Sequence, residues 1–126
     1  MDLKDGWRNL SVDELEKQNY GDPQKALTGL VERSLRYVKV PVGELSVEQL
    51  RTLISQHIGL NYLVPLALEI LSTNILAEGD LYEGDLVNAV HHLKPDFWNK
   101  NPLLSNQFKD LIKQHVGELK NVLKLL

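Results

Sequence analysis

No cysteine occurs among the 126 residues. That excludes a disulfide framework, a thiol nucleophile and a thiolate metal site, and it suits a reducing compartment. The opening MDLKDGW is polar and acidic, unlike the basic-then-apolar pattern of a secretory signal, so none is expected. The longest strictly uncharged apolar run, residues 63–68, is far too short to span a bilayer. No repeat of solenoid length, low-complexity tract or linker divides the sequence. What remains is the expectation of one soluble cytoplasmic domain over residues 1–126. Its 43% apolar and 25% charged content is ordinary for a core that needs no metal or disulfide staple.

Positive charge is absent from residues 52–90, where Glu69, Glu78, Asp80, Glu83 and Asp85 give a local charge of −5. Residues 91–126 hold six lysines against Asp96, Asp110 and Glu118, a balance of +3. An acidic middle repels phosphate backbones and attracts a cationic partner, which disfavours direct nucleic-acid binding there.

Local signals predict about six helices. Ser11 and Glu14 have capping-box spacing and open a short helix from residue 12 to about residue 18, before a turn at Tyr20, Gly21 and Asp22. Asp22 as cap and Pro23 as first residue open a second, with Ala26, Leu27, Leu30, Val31, Leu35 and Val38 as its apolar stripe and Pro41 as its end. A third starts at Ser46, boxed with Gln49, and buries Val47, Leu50, Leu53, Ile54 and His57 or Ile58 before Gly59 stops it. Residues 60–73 are the most apolar segment and form the central helix, with Pro65 best tolerated in its first turn. Asp85 caps a helix carrying Leu86, Val87, Val90 and Leu93, and Pro95 redirects the chain. The last helix begins near Ser105, with Leu104, Phe108, Leu111, Ile112, His115, Leu119, Val122 and Leu123 along one face. Only residues 37–42 suggest an extended piece, so the fold class is an all-α bundle with non-uniform crossing angles.

Chemistry-bearing patterns are few. None of the four histidines has a carboxylate three or four residues before it, and adjacent His91 and His92 diverge by about 100° on a helix, so no metal site is expected. No nucleophile elbow selects a serine, and neither an enzyme nor a cofactor is indicated. Gly79 to Gly84 has two glycines of a phosphate loop, but Asp85 stands where the lysine belongs. Asp80, Glu83 and Asp85 lack the spacing of a calcium loop, and as helix caps Asp80 and Asp85 need no ion. Tyr82 sits between the repeats EGDL and EGDL, and a tyrosine flanked by carboxylates suits an interface anchor steered toward cations. Tyr62 and Glu69, seven apart, share a face of the central helix that its apolar stripe leaves open. Trp7 and Trp98 read as packing residues.

The stretches SVEQLRTLISQ (46–56), IGLNYLVPLALEIL (58–71) and LAEGDLYEGDLVNAV (76–90) resemble immunity proteins of bacterial contact-dependent growth inhibition systems. A looser likeness reaches the pair Phe97 and Trp98, and proline often stands in similar proteins where this sequence has Glu83. The resemblance implies a non-catalytic cytoplasmic inhibitor that binds the C-terminal toxin domain of a large secreted effector. Many such toxins are nucleases, often acting on transfer RNA, and an acidic inhibitor can fill their cationic cleft. The residues expected to bind it are Glu69, Glu78, Asp80, Tyr82, Glu83 and Asp85, on a protein that is a monomer or weak dimer with no membrane partner. A different reading makes the chain a helical adaptor or regulatory subunit that uses the open face of the central helix.

Overall fold

Two capping boxes set the frame. The Ser11 hydroxyl accepts from the Glu14 amide while the Glu14 side chain accepts from the Ser11 amide, and Ser46 and Gln49 repeat the arrangement. In the computed structural model, which describes residues 6–123, these caps open α1 (Val12–Glu16) and α3 (Val47–Ser55). The other helices are α2 (Gly29–Tyr37), α4 (Leu60–Thr73), α5 (Asp85–His91), α6 (Pro95–Lys100), α7 (Pro102–Gln114) and α8 (Val116–Leu119). Short 3-10 turns join them, and there is no strand among the described residues, so the all-α expectation holds.

α4 is the central element, as its composition requires. It packs against α3, α5 and α7, and it buries Leu63, Val64, Leu66, Ala67, Leu68 and Leu71. Leu50, Leu53 and Ile54 of α3 and Leu86, Val87 and Val90 of α5 complete the core around it. Each buried Leu, Ile or Val among them contributes about 1.5–3 kcal/mol of burial.

Several boundaries differ from the sequence reading, each for a local reason. Asp22 and Pro23 open only a 3-10 turn, Pro23–Lys25, and the helix proper restarts at Gly29 with the Thr28 hydroxyl capping the Val31 amide. Leu27 falls in the break and is 99% exposed, so the stripe that ran through it is not one buried face. α3 is closed not by Gly59 but by His57, left-handed at φ 60, with Ile58 N–H donating to the Leu53 carbonyl and His57 N–H to that of Ile54. Gly59, at φ 65, instead opens α4, where a Cβ would meet both Val12 methyls at 3.0–3.1 Å. Pro65 is the sixth residue of α4, past the first turn, and removes the amide that would pair with the carbonyl of exposed Asn61. The last helix starts at Pro102 rather than near Ser105, preset by the proline ring, and breaks at His115. The extended piece at 37–42 reduces to one isolated antiparallel bridge, Ser11 with Pro41.

Candidate functional site

The acidic repeat forms the connection between α4 and α5, and its shape comes from beneath. Gly79 N–H donates to Asp85 Oδ1 at 2.7 Å, and Leu81 and Tyr82 N–H donate to Asp85 Oδ2 at 3.0 and 3.4 Å. Asp80 N–H, between them, donates to Glu48 Oε1 of α3 at 2.8 Å. Four consecutive amides are thus turned inward onto two carboxylates. Gly84 N–H donates to the Leu76 carbonyl at 3.1 Å and ties the two ends of the loop.

Asp85 was expected to cap α5. It is instead the first residue of that helix, with Gly84 at the cap position, and its side chain reaches back to hold the preceding loop. The residue is only 2% exposed. Arg51 balances both acids, the buried Asp85 and the half-buried Glu48. Its Nε and Nη2 donate to Glu48 at 2.8 and 2.5 Å, and Nε lies 3.8 Å from Asp85. Arg51 is the chief reason that the Glu48 carboxyl is pulled down to about 2 against the opposing effect of burial, with the Asp80 amide and the Thr52 hydroxyl adding to it. Sequence reasoning missed Glu48. The i,i+3 spacing of Glu48 and Arg51 was there to see, but it reads as an ordinary surface pair.

Because the amides face inward, the side chains of the loop face out. Glu78, Asp80 and Glu83 are exposed, and with them Leu81 at 61% and Tyr82 at 43%. The Tyr82 hydroxyl accepts from Asn88 Nδ2 at 2.5 Å, which orients the ring without burying it. Leu81 and Tyr82 flank a groove of about 390 Å³ whose other walls include Ile54, Ala89, His92 and Leu93 of α3 and the α5 end. An apolar pair ringed by three carboxylates that form no ion pair among the described residues is arranged to meet a cationic surface with an apolar notch. The oxygens a calcium ion would need from Asp85 are already taken by amides. Among the described residues no group of three or more His, Asp or Glu could hold a metal ion.

Glu69 does not join this surface. Its carboxylate is paired bidentately with Arg8, at 3.0 and 2.5 Å, and lines a different groove with Leu104 and Leu111 of α7. The face it shares with Tyr62 is open only in part, with Glu69 exposed and Tyr62 engaged. Trp7 lies against the Tyr62 ring at 6.2 Å between centroids, the Tyr62 hydroxyl donates to the Leu15 carbonyl, and Arg8 sits over Trp7. The amino-terminal segment therefore covers the Tyr62 end of this face and leaves the Glu69 end exposed beside the α7 groove. Trp98 packs as expected, stacked on Phe108 at 5.4 Å and edge-on to Phe97.

The two glycines of the repeat are required for different reasons. A Cβ at Gly79 would stand 2.6 Å from Glu48 Oε1, inside the space of the carboxylate that holds the loop. Gly84 has φ +89, and a Cβ there would stand 2.6 Å from Val122 Cγ1. Gly84→Ala is expected to lose about 2–4 kcal/mol in urea denaturation, from left-handed strain plus overpacking. Gly117→Ala, with nothing within 4 Å and inside α8, should be neutral or stabilising by up to about 1 kcal/mol.

Among the described residues no helix is long and apolar enough to cross a membrane. Neither a curated protein nor a solved structure matches the chain. The family described as CDI immunity proteins, where CDI is contact-dependent growth inhibition, matches residues 14–108, a span that holds α3, α4, the acidic loop and its supporting carboxylates. The chain belongs to the CDI immunity proteins.

Proposed function

We propose that the protein binds and neutralises the C-terminal toxin domain of its cognate effector by seating the loop of residues 78–83 against a basic cleft of a nuclease, a tRNase being the first candidate. The observation that carries this reading is the loop itself, with exposed Leu81 and Tyr82 among Glu78, Asp80 and Glu83 on a backbone fixed from below. Such a surface mimics a phosphate backbone in charge while offering an aromatic anchor, and its field speeds capture of a cationic partner. Asp85 supports the contact by shaping the loop, and Glu69 lies outside it.

The test is calorimetric titration of the purified toxin domain with a triple variant, Glu78→Lys, Asp80→Lys and Glu83→Lys. At about 1–2 kcal/mol for each reversed charge, affinity falls by about 100-fold or more, and growth rescue is lost. Thermal melts of the variant stay within a few degrees of the parent, since all three side chains are exposed. Glu69→Lys serves as the control, expected to leave affinity unchanged and to lower stability only slightly. Unchanged affinity in a folded triple variant removes the loop from the interface. Stoichiometric protection of transfer RNA from the toxin domain separately tests the nuclease reading.

A further inference from the structure

A second surface carries the opposite character. Between α6 and α7 the rings of Trp98 and Phe108, with Leu93 and Ile112, floor an open groove of about 550 Å³. Lys109 and Lys113 stand at its edge, and no Asp or Glu is among the described residues that line it. His91 also lines it, its pKa lowered by burial and by neighbouring His92, while Lys109 and Lys113 supply the groove's permanent positive charge. Neither lysine forms an ion pair among the described residues.

The occupant such a groove selects is an apolar segment flanked by carboxylates, and this chain displays one. Leu81 and Tyr82 are the apolar pair, and Glu78, Asp80 and Glu83 are the flanking acids. The loop precedes α5 and the groove follows it, so about 10 Å of helix separates them. A loop whose four amides are held by Glu48 and Asp85 cannot fold over to fill its own groove. We propose that the acidic loop of one copy docks into the Trp98–Phe108 groove of a second copy, with its carboxylates paired to Lys109 and Lys113. One loop in one groove is at the small end of interface sizes, so the association is weak and salt-sensitive. It competes with the toxin contact for the loop, a consequence that alone rests on the function proposed above.

Sedimentation equilibrium of the full chain, run from micromolar to millimolar concentration at low salt, reads the association directly. The parent's apparent mass is expected to rise with concentration and to fall back when salt is added. Two folded variants, Lys109→Glu with Lys113→Glu, and Glu78→Lys with Asp80→Lys and Glu83→Lys, each remain monomeric at every concentration. Mixed in equal amounts they associate, because each loop then meets a groove of opposite charge. A parent that stays monomeric throughout, association undiminished in either variant, or a mixture that fails to associate overturns the proposal. So do concentration-dependent amide shifts in the groove that leave residues 78–83 unmoved, which would mean that something other than the loop fills it.

Discussion

Replacing Asp85 by alanine is expected to lower stability by about 3–5 kcal/mol, the range for breaking a buried, hydrogen-bonded charge network from one side. Three amides, those of Gly79, Leu81 and Tyr82, lose their acceptor together, and Arg51 loses one of the two carboxylates near it. Denaturant midpoints measure the loss. Hydrogen exchange locates it, since those three amides should lose protection first while the amides of α4 keep theirs. Asparagine is not a rescue. Both carboxylate oxygens accept from backbone donors, and an amide side chain would turn its NH2 group toward one set of them. Asp85→Asn should therefore remain destabilised by about 2 kcal/mol, which separates the need for two acceptors from the need for bulk.

The second large effect is a dependence on pH. Glu48 titrates at about 2 in the folded chain against an ordinary value of 4.5. A carboxyl depressed on folding stabilises the fold fully above its unfolded value and loses that contribution as pH falls toward the folded one. The window is therefore pH 4.5 down to about 2, and the amount, reduced by solvent screening of a partly exposed pair, is about 1–2 kcal/mol. Its measurement is the stability difference between the parent and Glu48→Gln across that range. The glutamine keeps an oxygen for the Asp80 amide but gives up the charge that pairs with Arg51, so the difference is largest near neutrality and closes toward pH 2. A gap that stayed constant across the window would show that Glu48 acts by shape alone.

What the sequence made legible was local or strongly periodic. Ser11 with Glu14 and Ser46 with Gln49 were readable because both partners of a capping box lie within three residues. α4 was readable because its apolar residues cover most of its circumference. The second helix misled because Asp22 and Thr28 both carry helix-capping side chains six residues apart. Thr28 won, leaving the Leu27 side chain in water. At the acidic loop the repeated Glu-Gly-Asp-Leu marked the exposed surface correctly, but it could not tell which acid turns inward. An aspartate ahead of an apolar run looks like a cap for the helix that follows. Only the left-handed Gly84 takes that position and frees Asp85 to reach back. The role of Glu48 depends on an amide 32 residues away, beyond any local pattern.

The residues that shape the loop and the residues it displays are different ones. Asp85 and Glu48 grip main-chain amides, which every amino acid except proline supplies, so positions 80–82 can exchange side chains without losing the backbone bonds that fix them. Amino-acid changes there alter what the surface presents while folding stability is largely conserved. Under the toxin contact proposed above, variation in recognition is thereby uncoupled from the stability threshold that purges most mutations. Under that same proposed contact, a lineage can drift through neighbouring specificities by single replacements, each intermediate still folded, on a scaffold that does not change.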